Sequence, residues 1–201
     1  MDKKELKDVL KKTWWFIWED DSVWSWIVNI ILAFVLIKFI VYPGLGLLFS
    51  TGYPIVAVVS GSMEHDGSFN NWWDPQQSWY VSRNITKEEF SDFRFKNGFN
   101  KGDIMVLYGK KPNEITVGDV IVFRSNRPDP IIHRVVKRWE INGKYYFQTK
   151  GDHNSDSITS IGLDETNIPE DNLLGKAVFR VPLLGYIKIW FVELIQLFMK
   201  R

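Results

Sequence analysis

Residues 23–41, VWSWIVNIILAFVLIKFIV, form a nineteen-residue apolar run that restricts this chain more than any other feature of it. Coiled as a helix, such a run reaches about 28 Å, close to the hydrocarbon thickness of a bilayer. It predicts a membrane-spanning helix in preference to a buried core helix. Asn29 and Lys38 interrupt the run. Lys38 lies near one end, where its long stem can snorkel toward the headgroups. Trp14, Trp15, Trp18, Trp24 and Trp26 gather at the other end, as an interfacial aromatic belt does. Lys3, Lys4, Lys7, Lys11 and Lys12 precede the run, and after Lys38 the next basic residue is Arg83. That asymmetry predicts a cytoplasmic N-terminus with everything after Val41 outside. The run begins late and ends in Tyr42-Pro43, so a retained anchor is expected rather than a cleaved signal peptide.

The rest of the 201 residues suffices for one packed domain. With 45% hydrophobic and 15% aromatic residues, ten of them tryptophan, the chain has enough apolar surface to fold. A net charge of +1 provides no strong field for nucleic acid, and none is expected as a partner. The absence of cysteine excludes disulfides, thiol catalysis and cysteine-based zinc sites. The three histidines, His65, His133 and His153, match no ligand spacing, so neither metal nor organic cofactor is expected.

Gly44, Gly46, Gly52 and Pro54 are expected to stop the anchoring helix, and Pro54 to Val59 (PIVAVV) reads as a short strand. Residues 64–101 read as a polar and aromatic surface insertion. One helical turn is expected near Thr86 to Phe90, where Thr86 and Glu89 have capping-box spacing. Its Trp72, Trp73 and Trp79 are candidates to touch the membrane or shape a cleft. Asn84-Ile85-Thr86 is a glycosylation sequon. Further strands are predicted at 104–108, 120–123, 131–139, 144–149 and 175–179, with Asn142-Gly143 as a hairpin turn. The fold class expected is mainly β, an antiparallel domain of sandwich or barrel type. From Val181 to Phe198, Leu184, Ile187, Phe191, Leu194, Ile195 and Phe198 share one helical face, opposite Lys188, Glu193 and Gln196. That pattern predicts an amphipathic helix at the membrane interface. The domain plan is therefore 1–22, a cytoplasmic aromatic segment; 23–41, the anchor; 42–180, the β domain with its 64–101 insertion; and 181–201, the interfacial helix.

Ser60-Gly61-Ser62-Met63-Glu64 follows the first predicted strand, and His133 stands about seventy residues later in Ile132-His133-Arg134-Val135. A serine becomes a nucleophile when a base takes its proton, and imidazole titrates in the range to do so near neutral pH. These two motifs, with Gly118-Asp119-Val120-Ile121-Val122-Phe123-Arg124 between them and Thr149-Lys150-Gly151-Asp152 after them, resemble the type I signal peptidase family in order and spacing. The resemblance covers roughly 54–182 apart from the insertion, and it follows the endoplasmic reticulum and archaeal branch, which has histidine where the bacterial branch has lysine. It implies Ser62 as nucleophile, His133 as general base, and Ser60 and Met63 as oxyanion or substrate-binding residues. The acid that completes the set is expected at Asp156, then Asp152, with Asp164 third. The family places its aspartate about six residues after the Gly-Asp pair, where this chain has Ile158.

The function implied is a membrane-bound serine endopeptidase that cleaves signal peptides from exported preproteins. Its partners would be those peptides, the lipid bilayer, and accessory membrane subunits or a secretion channel. The location implied is the cell membrane, with the catalytic domain extracytoplasmic. A related peptidase with a narrow set of precursors and an inert partner-binding subunit are the competing readings.

Overall fold

A computed structural model describes residues 2–187, 189, 190 and 197. The chain divides into two compact units, residues 1–48 and 49–201.

The first unit is helical. Helix α1 (Lys3–Trp18) starts where the Glu5 carboxylate accepts the Asp2 N–H at 3.0 Å. Ser22 caps α2 (Val23–Leu36), accepting the Ser25 N–H at 3.2 Å. Asn29, the polar break in the apolar run, donates its amide to Ile17 O at 2.8 Å, and Ser25 Oγ donates to Phe16 O at 2.6 Å. These carbonyls lie in the last turn of α1 and lack helical partners, so two polar side chains of α2 satisfy groups that a bilayer would not. The helix does not stop at the glycines. A π turn (Ile37–Val41) and α3 (Tyr42–Leu48) continue it, making one apolar helix from Val23 to Leu48 that is long enough to cross a membrane. The Tyr42 N–H bonds to Ile37 O, an i to i−5 step directly before Pro43, and this wider turn accommodates the missing donor.

The second unit is an open half-barrel of seven antiparallel strands in the order β1-β2-β9-β3-β4-β5-β8. They are β1 (Ile55–Ala57), β2 (Ile104–Tyr108), β3 (Val120–Phe123), β4 (Ile131–Ile141), β5 (Lys144–Lys150), β8 (Ile168–Pro169) and β9 (Leu173–Val181). Strands β6 (Thr159–Ser160) and β7 (Leu163–Asp164) form a separate hairpin. Asn142 and Gly143, at φ 51° and 77°, make the tight turn between β4 and β5. The hairpin and β8 carry too few residues for a period-two signal, which is why the sequence pattern does not reveal them.

Both faces of the sheet are covered. The uniformly apolar Val-Ile-Val-Phe of β3 sends Val120 and Val122 into one cluster with Val58, Met105 and Leu107. Ile121 and Phe123 enter another with Val135, Phe147 and Leu163. A third cluster belongs to the insertion. Residues 64–101 are not the surface excursion expected: α4 (Phe69–Val81) and α5 (Lys87–Asp92) bury Trp72, Trp73, Tyr80 and Phe90 together with Val136 of β4. Trp72 and Trp73 are 4% and 2% exposed, so the expected membrane contact gives way to core packing, while Trp79 donates its indole N–H to Asp156. The Thr86 and Glu89 capping box is present, with reciprocal bonds of 3.2 and 2.9 Å. Asn84, at φ 59°, turns the chain out of α4. Of the predicted interfacial helix, Tyr186, Ile187, Ile189 and Trp190 are helical, and 188, 191–196 and 198 lie outside the described residues.

Truncating Phe90, which touches Trp72, Trp73 and Tyr80, should test how firmly this third cluster supports the domain. Phe90→Ala is expected to destabilise by about 3–5 kcal/mol in denaturant unfolding followed by tryptophan fluorescence. A loss below about 1 kcal/mol would mean that the insertion is peripheral.

Candidate active site

Alternation along β4 sends neighbouring side chains to opposite faces, and His133 and Arg134 are neighbours. Arg134, on the side of the insertion, has all five N–H donors engaged. Nε donates to Asp152 Oδ1 at 2.9 Å and Nη2 to Asp152 Oδ2 at 2.6 Å. The remaining three reach the carbonyls of Arg94, Phe95 and Gly118 at 3.0, 2.9 and 2.9 Å. Burial alone would raise the Asp152 carboxyl, but the Arg134 guanidinium and the His65 ring hold it well below the ordinary carboxylate range. His65 bonds to Asp152 Oδ2 through Nε2 at 3.0 Å and stacks on Trp72 with centroids 3.7 Å apart. Burial lowers the Lys150 ammonium to about 8, and it is held by Gln76 Oε1 at 3.0 Å.

The Ser60–Glu64 loop is pinned on all sides. Met63 is fully buried in the core beside Val58 and Phe99, and its sulfur accepts the Asp152 N–H at 3.4 Å. Its side chain thus fixes the loop and cannot line a substrate site, contrary to the sequence expectation. Ser62 O accepts the His153 N–H at 2.9 Å, Met63 O accepts the Phe99 N–H at 3.0 Å, and Glu64 Oε1 accepts the Lys101 N–H at 2.9 Å. Ser62 Oγ is left 2.8 Å from His133 Nε2 and 3.1 Å from Ser60 Oγ. Gly151 allows this approach. A Cβ there would stand 2.7 Å from Ser62 O and 2.9 Å from His133 Nε2.

The other ring nitrogen of His133 bonds to Glu165 Oε1, a residue that motif reasoning passed over. Glu165 is wholly buried, accepting Thr149 Oγ1–H at 2.7 Å and the Ile158 N–H at 2.8 Å. None of the expected acids reaches His133. Asp152 is taken by Arg134, exposed Asp156 accepts the Trp79 indole N–H at 2.8 Å, and Asp164 bonds Thr166 in its own turn. Asp164 and Glu165 are adjacent on an extended segment, so one faces out and the other in. Glu165 N donates to Ile158 O at 2.8 Å, which makes Ile158 its cross-strand neighbour. The missing carboxylate at 158 is the signal that could have directed attention to the returning arm of this hairpin.

Ser62 and His133 line a cleft of about 370 Å³ with Ala57, Val59, Pro128 and Pro130. Strand β1 is an outer strand. Val58 N and Pro54 O bond toward β2 at 2.8 and 2.9 Å, so the alternation leaves the N–H and C=O of Ile55 and Ala57 on the free edge. Among the described residues no cluster of three or more His, Asp or Glu is suited to a metal ion.

No protein-family model matches the chain. Among curated proteins it is similar to the signal peptidase complex catalytic subunit SEC11 of Lachancea thermotolerans, 30% identical over 161 residues that cover 77% of this chain and 76% of the relative. The SEC11 proteins of Pyricularia oryzae and Komagataella phaffii are 27% and 28% identical, with at least 80% of each chain covered. The chain belongs to the SEC11 signal peptidase family. As a SEC11-family member it falls in the Ser/His branch of the type I signal peptidases, in keeping with the motifs around Ser62 and His133.

Two predictions follow from the way this SEC11-family site is braced. Gly151→Ala should displace Ser62 against His133 and cut precursor cleavage by about 100-fold, a size typical of a 1 Å misplacement, with a smaller effect on thermal stability. Asp152 binds its proton far less readily when folded than when unfolded, so its stabilisation is complete at neutral pH. It should be lost on acidification below the normal carboxylate range, read as a falling melting temperature.

Proposed function

We propose that this chain is a membrane-anchored serine endopeptidase that removes signal peptides from exported precursors, as the names of its relatives describe for them. The observation that carries this reading is the 2.8 Å contact of Ser62 Oγ with His133 Nε2 in an open cleft bordered by a free strand edge. His133 accepts the hydroxyl proton as Ser62 Oγ attacks the scissile carbonyl carbon, and then returns that proton to the leaving amine. The acyl-enzyme is hydrolysed by water, with His133 again as base. The developing oxyanion is met by the Ser62 main-chain N–H and the Ser60 hydroxyl, whose Oγ lies 3.1 Å from the nucleophile. The pairing of both catalytic groups also speaks against an inert partner-binding subunit.

Substrate binding follows from the edge of β1. An extended peptide adds to it by main-chain hydrogen bonds and turns alternate side chains toward Ala57 and Val59. Those contacts favour small residues next to the scissile bond. The apolar helix holds the domain at the membrane that also retains the signal peptide's own apolar segment, which replaces a three-dimensional search with a local one. The lysines ahead of that helix support a cytoplasmic N-terminus and a catalytic domain on the far side. The likeness to SEC11 proteins favours the endoplasmic reticulum membrane as the site of action over the cell membrane expected from the sequence. The relatives are subunits of a signal peptidase complex, so accessory membrane subunits are the partners to look for.

With purified protein in detergent and a precursor substrate, Ser62→Ala and His133→Ala should each lower turnover by at least about 1000-fold, and Ser60→Ala by roughly 100- to 1000-fold. Cleavage retained by Ser62→Ala would end this reading.

A further inference from the structure

The acid of this site is not one that the motif spacing offers. We propose that Glu165 is the positioning carboxylate for His133, supplied from the arm of the β6–β7 hairpin that returns past Ile158. This assignment rests on the Ser62 and His133 reading above and adds a residue that is neither in the Gly151-Asp152 motif nor in the six-residue stretch after it.

Hydrogen-bond bookkeeping supports it. Glu165 Oε1 meets His133 Nδ1 and the Thr149 hydroxyl, and Oε2 meets the Ile158 N–H. Thr149 and Ile158 present donors, so the carboxylate acts as acceptor throughout and Nδ1 is the ring nitrogen that carries hydrogen. Nε2 is then bare and faces Ser62 Oγ, the arrangement a general base requires. The main-chain N–H of Ile158, at the position where the related family has its aspartate, holds this carboxylate instead.

Arg127 and Asp129 also line the cleft with His133, both exposed to solvent, and the buried charges close by are engaged elsewhere. The Lys150 ammonium on β5 bonds Gln76 Oε1 and Gly151 O, at 3.0 and 3.2 Å. Asp152 is paired with Arg134, on the opposite face of β4 from His133, and exposed Asp156 pairs with Arg83 at 3.6 Å. Burial of Glu165 with every oxygen bonded fixes the imidazole plane before substrate arrives. As Ser62 attacks, the proton moves to Nε2, and the positive ring that results is stabilised by the adjacent carboxylate.

The test compares Glu165→Gln, Glu165→Asp and Asp156→Asn across pH in precursor cleavage by the full-length protein in detergent. The glutamine supplies no negative charge to the ring and has one acceptor oxygen, which can keep the His133 and Thr149 bonds while its NH2 meets the Ile158 N–H without bonding it. The expected result is a fall in kcat of roughly 100- to 10,000-fold with little change in KM. The acidic limb of kcat/KM should move down, because the charge next to the ring has been removed. Glu165→Asp should recover part of kcat and keep the limb near its wild-type position. A limb unmoved in Glu165→Gln, or turnover lost in Asp156→Asn and kept in Glu165→Gln, overturns the assignment. Imidazole ¹⁵N shifts of His133 in the wild-type protein are independent of how the variants fold: a protonated Nδ1 with a bare Nε2 supports the proposal, and the reverse tautomer overturns it. Full cleavage by His133→Ala would instead remove the reading on which the proposal stands.

Discussion

The buried pair of Arg134 and Asp152 is the interaction on which the second unit depends. One guanidinium joins β4 to the loop after β5 and, through three carbonyls, to the ends of the insertion and of the turn before β3. Isolated, either ion would be costly to bury, and together they stabilise little beyond an apolar pair. What they provide is uniqueness of arrangement, because five fixed donors tolerate few alternative positions of the segments that accept from them. Asp152 adds His65 and Tyr80 from the insertion, so the same carboxylate anchors α4 to the sheet.

The site is built by alternation around that anchor. Arg134 faces the insertion, and His133, one residue earlier, faces the cleft. Any rotation of β4 that loosened the ion pair would also move the imidazole. Ser62 is tied to the same framework, since the Asp152 N–H bonds the Met63 sulfur and the His153 N–H bonds Ser62 O. A fully buried pair thereby sets the distance between Ser62 and His133.

Much of this was legible in the residues. The strand positions followed from apolar runs between turn residues, and Ser62 and His133 from motifs whose chemistry is specific. The continuation of the anchoring helix past Gly44 and Gly46 was not, because Pro43 and the two glycines read as a helix stop, whereas a π turn before Pro43 lets the helix run through them. Helix α4 was hidden by Pro75 within it and by aromatic residues that point to more than one side. Its tryptophans read as candidates to touch the membrane or shape a cleft, whereas Trp72 and Trp73 close a small core over Val136. Glu165 was missed for a different reason. It belongs to a hairpin of two-residue strands, where spacing along the chain says nothing about which carboxylate returns to the histidine.

The hydrogen bonds that assemble the site join residues far apart in the chain, with separations of 71 for Ser62 and His133 and 32 for His133 and Glu165. Contacts of that range form late, after the intervening loops have closed. The Ser62, His133 and Glu165 cluster is therefore assembled only when the β domain has been completed through the last hairpin.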